Sequence, residues 1–305
     1  MKRMRLHIVD GTYELFRAHF SKRPDHRDPT GRDAKATLGV VWSMLALLRD
    51  PEERVSHVAA AFDNPIRSFR NDLFAGYKTD EGVPAELLAQ FAAVEDGMRA
   101  IGVVVWSMDE WEADDALATA AERFGPDVEP DVEQVRILTP DKDLGQCVRG
   151  ERIVQVDRMR KRVIDEAGLL AARGIAPASV PDYLALVGDT ADGIPGLSGF
   201  GQKTAAALLH EYGRLESIPP RASDWKPNLR GAAVLAATLA AHFEEAILYR
   251  RLATLVRTVP LRESLDDLRW HGVPRAPFEA WCRAIDAPEA LRELGATLAS
   301  GANRE

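Results

Sequence analysis

Short apolar runs alternate with longer stretches of helical periodicity through the first half of this chain. Runs such as Leu6-His7-Ile8-Val9, Val58-Ala59-Ala60-Ala61-Phe62 and Val135-Arg136-Ile137-Leu138 predict strands near residues 5–9, 55–62, 102–107 and 134–139, with a weaker one at 152–156. Between them the spacing predicts helices over 34–49, 85–100 and 113–124. The second is well marked: Pro84 suits a first helical turn, and Leu87, Leu88, Phe91, Val94 and Met98 recur at helical spacing. Such alternation predicts an α/β fold with a mainly parallel sheet and helices on both faces. Residues 20–33 and 64–83 are polar and irregular, and loops of that length inside a compact domain are usually functional or mobile. From about residue 176 the pattern turns helical, with a glycine-rich stretch at 188–201 between two helices and a stop at Pro219-Pro220. A linker at 221–228 leads to an alanine-rich helix over 231–250. A strand-like piece at 252–261 is expected to return to the sheet, and a short helical segment with a fraying end closes the chain.

Carboxylates punctuate this pattern where apolar runs end. Asp10 and Asp63 each close a predicted strand; Glu112, Asp114 and Asp115 follow the third, and Asp141 and Asp143 the fourth. Asp189 and Asp192 follow the apolar run Tyr183-Leu184-Ala185-Leu186-Val187. Ligands of open α/β sheets bind beyond the carboxyl ends of the strands, so acids left there by several strands would converge. Convergent negative charge needs cations, and hard oxygen ligands suit Mg²⁺ or Mn²⁺. Singly, Asp10 could be a turn residue and Asp115 or Asp189 a helix cap. Five clusters in one topological position are harder to explain as caps. The residues alone therefore point to a metal-dependent enzyme acting on phosphate.

Net charge, −8, argues against a polyanionic partner until the acids are sorted. Of 47 acidic residues, the nine above leave 38 against 39 basic ones, so the remainder is nearly neutral. Two cysteines, Cys147 and Cys282, offer no metal spacing and suggest a reducing compartment. No apolar run approaches the ~20 residues of a membrane span. The basic N-terminus is followed by an apolar stretch too short for a signal peptide, so the expectation is a cytoplasmic protein.

The stretch Gly193-Ile194-Pro195-Gly196-Leu197-Ser198-Gly199-Phe200-Gly201-Gln202-Lys203-Thr204 frees the backbone to approach a phosphate at the next helix start. It is not a Walker loop, because the Gly-x-x-x-x-Gly-Lys-Ser/Thr spacing is unmatched. A helix cap plus turn is the plainer reading of this stretch by itself.

These pieces together resemble the 5′-nuclease family, the flap endonucleases and the 5′-exonuclease domain of bacterial DNA polymerase I. The matching segments are Val9-Asp10-Gly11, Phe62-Asp63, Tyr77-Lys78, Trp111-Glu112-Ala113-Asp114-Asp115, Leu138-Thr139-Pro140-Asp141-Lys142-Asp143-Leu144, and Gly188-Asp189-Thr190-Ala191-Asp192-Gly193-Ile194-Pro195-Gly196, continued by Gly199-Phe200-Gly201-Gln202-Lys203-Thr204-Ala205. They keep the family's order over about residues 6 to 215.

The resemblance implies a Rossmann-like, PIN-related fold with two metal ions about 4 Å apart, suited to in-line phosphodiester hydrolysis of DNA. It implies that Asp10, Asp63, Glu112, Asp114 and Asp115 serve one metal site and Asp141, Asp143, Asp189 and Asp192 the other. It also implies a helix–three-turn–helix that grips duplex backbone through Gly199, Gly201, Lys203 and Thr204, with a K⁺ ion on loop carbonyls. Residues 64–83 correspond to the start of a mobile arch, where Lys78 would meet the scissile phosphate, Tyr77 would stack on a base and Arg70 would contact DNA. Residues 1–175 are then the catalytic domain, 176–220 the DNA-binding unit and 221–305 a helical segment packing back. The implied substrate is DNA with a 5′ flap, a nick or a 5′ end beside duplex, handled by a monomer. No polymerase segment follows within the 305 residues, so the expectation is a stand-alone nuclease.

Two positions depart from the pattern: Glu81 stands where many relatives have Arg, and Gly193 where Asn is common. The run Arg158-Met159-Arg160-Lys161-Arg162 reads as a solvated hairpin that could also touch DNA. A haloacid-dehalogenase phosphatase is the nearest unrelated enzyme, but Ile8 occupies the position of its nucleophilic Asp. A PIN-type ribonuclease and an inactive DNA-binding module remain as alternatives.

Overall fold

The apolar runs form a six-stranded sheet in the computed structural model, which describes residues 4–290 and 292. The expected fraying of the last five residues lies outside that range. In chain order the elements are β1 (Met4–Asp10), α1 (Gly11–His19), α2 (Lys35–Arg49), β2 (His57–Asp63), α3 (Arg70–Leu73), α4 (Ala85–Leu88), α5 (Phe91–Ala100), β3 (Val104–Met108) and α6 (Ala113–Arg123). There follow β4 (Val132–Leu138), β5 (Ile153–Asp157), β6 (Arg162–Ile164), α7 (Glu166–Arg173), α8 (Val180–Val187), α9 (Gln202–Tyr212), α10 (Ala232–Ala241), α11 (Phe243–Ala253) and α12 (Arg275–Ala284).

Strand order is β3-β2-β1-β4-β5-β6, parallel except for the antiparallel edge strand β6. Alternation within β1 explains the two layers. Val9 joins α1, α2, α5 and α12 in one core, while Leu6 and Ile8 face α6 in another. A third core, built on Tyr183, Leu184, Leu208, Leu209, Leu235 and Leu252, belongs to the helical C-terminal part. The expected α/β class, mainly parallel sheet and helical unit are all present.

Several boundaries differ from the sequence pattern, each for a local reason. The helix expected over 85–100 breaks at Ala89-Gln90, where the Gln90 side-chain oxygen turns inward to accept from Thr37 N and Oγ1 (3.0 and 3.2 Å). The helix expected over 231–250 is two helices, α10 and α11, bent by 78° at His242. The piece at 252–261 is not a strand. Leu252 and Ala253 end α11, and from Thr254 the chain runs extended across α6, burying Leu255, Val259 and Leu261, while Thr119 Oγ1 donates to Val256 O (3.3 Å) and accepts from Val259 N (3.1 Å). The chain touches the sheet later, by a bridge between Arg269 and His57 and a bond from Trp270 N to Ser56 O (3.0 Å). Among the described residues no single helix is long and apolar enough to cross a membrane; only the bent pair α10–α11 passes by composition.

Candidate metal centre

Strand ends deliver the acids, and backbone N–H groups fix most of them. Asp10 ends β1 and caps α1, accepting from Tyr13 N (2.8 Å) and from Thr139 Oγ1 (2.8 Å). Gly11 must be glycine, since a Cβ there would lie 2.4 Å from the Phe62 ring. Asp63 ends β2; its Oδ1 accepts from Ala113 N (2.7 Å), tying it to the start of α6. Glu112 is the N-cap of α6, and Asp114 lies in its first turn. Beyond β4, Thr139 Oγ1 also accepts from Asp141 N (3.1 Å), and Asp141 Oδ1 accepts from Asp143 N (3.0 Å). After α8 the chain folds back on itself, with reciprocal bonds between Asp189 and Ile194 (2.8 Å each), and this turn carries Asp189 and Asp192.

Carboxylate oxygens of Asp143, Asp189 and Asp192 all lie within 4.8 Å of one another. Asp143 Oδ1 is buried without a hydrogen-bond partner, as expected of an oxygen shaped to ligate rather than to brace the fold. Burial raises the pKa of Asp10 to about 7, with Asp63 and Asp141 adding to the shift. Asp114 and Asp143 are pushed well up by burial and then by neighbouring carboxylates: Asp10 and Asp141 for the first, Asp141 and Asp192 for the second. Burial also raises Asp63 and Asp192, though Lys78 opposes it in both. Acids this crowded resist ionisation until positive charge arrives. Oxygen-only donors, mutual repulsion and an unpartnered oxygen together fit a hard divalent cation.

Two lysines reach into the set. Lys78 Nζ bridges Glu112 Oε2 (3.0 Å) and Asp192 Oδ1 (2.9 Å), joining the α6 acids to the turn after α8. Burial lowers the Lys78 pKa, but Glu112 and Asp192 outweigh it and hold the ammonium well above its usual range. Burial likewise works against the Glu112 carboxylate, yet Lys78 and Arg70 pull its pKa down to about 2. Lys142 Nζ pairs with Asp189 Oδ2 (2.8 Å). The irregular segment 64–83 is pinned here too: Lys78 N donates to Asp192 O (3.0 Å), and a Cβ on Gly193 (φ +75°) would sit 2.1 Å from Gly76 O.

Three expected roles meet a different placement. Asp115 is fully buried, and both its oxygens are occupied: Oδ2 by Arg70 Nη1 (2.7 Å) and Glu112 N (3.0 Å), Oδ1 by Arg70 Nη2 (2.7 Å) and Val256 N (2.8 Å). A carboxylate has about four lone-pair directions, so Asp115 has none to offer a metal. Arg70, expected on the DNA, is fully buried and also donates to Leu252 O (2.8 Å) and Thr254 O (3.1 Å). Tyr77, expected to stack on a base, is buried with its hydroxyl on Glu112 Oε2 (3.2 Å). In the hairpin between α8 and α9, Gly199, Gly201 and Lys203 are exposed and Thr204 is half-buried. Glu81 is exposed in a turn. The sequence pattern passed over the supports Thr12, Ser68 and Thr139; only Thr139 lay inside a recognisable motif. Thr12 Oγ1 accepts from Asp63 N (2.8 Å), and Ser68 Oγ donates to Glu112 Oε1 (2.7 Å).

Residues 5–174 match the family described as 5′-3′ exonuclease, N-terminal resolvase-like domain, and residues 175–276 the 5′-3′ exonuclease, C-terminal SAM fold. The chain belongs to the 5′-3′ exonuclease family. A 5′-3′ exonuclease of Aquifex aeolicus is 32% identical over 214 residues, covering 70% of this chain and 71% of the relative. DNA polymerase I of Rhizobium leguminosarum is 34% identical over 269 residues, 86% of this chain, but the chain spans only 26% of that polymerase. Among solved structures, a T5 5′-exonuclease with bound zinc aligns with a TM-score of 0.61 at 17% identity, covering 82% of this chain and 89% of the other. The catalytic core of Rad2 in complex with DNA substrate aligns with a TM-score of 0.58 at 14% identity, covering 93% and 88%. At those identities the two structures establish a shared fold for this exonuclease-family chain.

Proposed function

We propose that the chain is a metal-dependent DNA nuclease, acting from 5′ ends and at 5′ flaps or nicks. The observation that carries this reading is the Asp143–Asp189–Asp192 cluster, joined through Lys78 to Glu112. Its support is the fit of that cluster to divalent cations, together with family membership and the metal and DNA complexes of proteins sharing the fold.

Asp143, Asp189 and Asp192 would hold one Mg²⁺ or Mn²⁺ ion, and Asp10, Asp63 and Asp114 another, with Asp141 between the sets. Glu112, held by Ser68, Arg70, Tyr77 and Lys78, would join the second only as Lys78 leaves it. Bound there, such ions activate water and neutralise charge developing on the phosphate. The chain's own groups do the placing. Thr139 and Tyr13 N aim Asp10, Ala113 N aims Asp63, and Ser68 and Tyr77 aim Glu112. Lys78 keeps its charge throughout and stands at the edge of the acids, where an ammonium can meet the scissile phosphate as the Glu112 and Asp192 contacts are exchanged. Arg70 and Asp115 hold the base of the arch, α6 and residues 252–256 as one body, so the acids keep their spacing.

A 5′-flap DNA labelled at both ends, incubated with Mg²⁺, Mn²⁺ or EDTA, tests the proposal, with matched RNA and a phosphomonoester in parallel. Metal-dependent release of short 5′ fragments from DNA is the expected outcome. Cleavage confined to RNA or to the monoester would refute it.

A further inference from the structure

Both acids of the turn after α8 meet a lysine, but the two lysines are held differently. Lys78 Nζ is shared by Glu112 and Asp192 (3.0 and 2.9 Å), its backbone N–H is tied to Asp192 O, and its side chain is 25% exposed. Lys142 Nζ has Asp189 Oδ2 (2.8 Å) as its one carboxylate partner among the described residues, and its side chain is 38% exposed. The Lys142 backbone, by contrast, is fixed: its carbonyl accepts from Gly145 N (3.2 Å) and Arg173 Nη1 (2.8 Å). Asp189 Oδ1 accepts from Ala191 N (3.0 Å), so Lys142 occupies the oxygen that the turn's own backbone does not hold. Asp189 is one of the three acids whose oxygens lie within 4.8 Å of one another, and Asp143 Oδ1 in that set bears no partner. Beside Lys142 a cavity of about 700 Å³, lined also by Arg173, Gln202 and Lys203, gives the side chain room to turn away. Arg173 and Lys203 on its walls repel a third cation, so Lys142 stays on Asp189 until a stronger charge reaches the carboxylate.

We propose that Lys142 is a displaceable counter-ion of the metal centre: it holds the place of a divalent cation at Asp189 and leaves Asp189 Oδ2 as the ion binds. The inference rests on the nuclease reading above, and it assigns the metal concentration that the enzyme needs to a residue that is neither a ligand nor a brace. A pair this exposed is weakly held, and the long lysine stem lets the charge move while the backbone stays fixed. Paired Lys142 removes Asp189 from the population able to ligate, which lowers the apparent affinity for the ion by the fraction left free. In return, the three acids do not repel one another unopposed when metal is scarce.

Calorimetric titration of the DNA-free enzyme with Mn²⁺ reads this directly, with Asp143→Asn marking which binding event belongs to the three-acid cluster. Lys142→Met and Lys142→Gln should each tighten that event about fivefold, the factor expected when a partly exposed pair no longer competes. Lys142→Arg, which keeps the charge, should stay near the parent. In EDTA both neutral variants should melt below the parent, and saturating Mn²⁺ should close the gap. The Mg²⁺ concentration for half-maximal flap cleavage should fall by a similar factor. Neutral variants that bind Mn²⁺ no tighter than the parent would overturn the inference. Weaker binding would overturn it as well, making Lys142 the group that aims Asp189 at the ion. A parent that binds no Mn²⁺ would sink the metal-dependent reading itself, an outcome distinct from these.

Discussion

Replacing Asp115 with asparagine separates an acid that braces the fold from acids that await metal. Arg70 and Asp115 are both fully buried and paired at 2.7 Å through two parallel bonds, and Asp115 also accepts from Glu112 N and Val256 N. The asparagine amide would keep one acceptor oxygen but turn an N–H₂ donor toward groups that themselves donate. The guanidinium would then stay buried without its counter-charge. Breaking a buried pair from one side costs about 3–5 kcal/mol, which for a chain of this size lowers the melting temperature by roughly 5–10 °C. Asp143→Asn should do the opposite. It replaces a carboxyl that burial, Asp141 and Asp192 keep from ionising, at an oxygen nothing bonds, by a group that needs no proton to stay neutral, so the variant should melt at or above the parent. Calorimetric melts in EDTA compare the three proteins without metal stabilisation. A cycle of Arg70→Ala, Asp115→Ala and the double variant should show a coupling of about 1–3 kcal/mol. If Asp115→Asn melts with the parent while Asp143→Asn melts lower, the assignment of brace and ligand is reversed and the reasoning fails.

The remaining predictions follow the same geometry. Asp10 has its pKa raised in the fold, so the native state holds more protons than the unfolded chain between about pH 4 and 7. Stability in EDTA should therefore fall as pH rises through that window, and Asp10→Asn should flatten the slope of melting temperature against pH; an unaltered slope would contradict the shift. Lys78→Ala should lose plateau rate in single-turnover cleavage with little change in half-saturation; parent-like cleavage would remove Lys78 from the chemistry. Gly193→Ala, whose Cβ would fall 2.1 Å from Gly76 O at a left-handed φ, should lower the melting temperature and detach the segment around Gly76 from the Asp192 turn. Parent-like protection of residues 74–80 in hydrogen exchange would count against that contact.

What the sequence revealed most clearly was what repeats or what ends a strand. Short, near-continuous apolar runs located five strands, because burial on both faces leaves little freedom in their composition. Carboxylates at strand ends were legible because a parallel sheet gathers such ends by topology alone. Roles set by side-chain direction were not. Asp114 and Asp115 are neighbours, yet α6 turns the second inward to Arg70, and no local signal in Glu-Ala-Asp-Asp distinguishes them. Arg70 looked like a surface cation in a polar loop; its burial depends on carbonyls at Leu252 and Thr254, about 180 positions away. Helix α1 was missed because Asp10-Gly11 reads equally as a turn, and Asp10 proves to be both strand end and helix cap. Residues 252–261 have the composition of a strand, but the first two end α11, and the N–H groups of Leu255, Val256 and Val259 are taken by Gln146, Asp115 and Thr119 side chains and not by a neighbouring strand.

The most direct test of the account is the single-turnover rate of 5′-flap cleavage by Asp143→Asn at saturating DNA, measured across Mg²⁺ concentration beside the parent. Asp143 carries the unpartnered oxygen at the heart of the candidate centre. The account predicts a rate lower by orders of magnitude at every Mg²⁺ concentration, in a protein that melts no lower than the parent. Parent-like cleavage by a folded Asp143→Asn variant would contradict it.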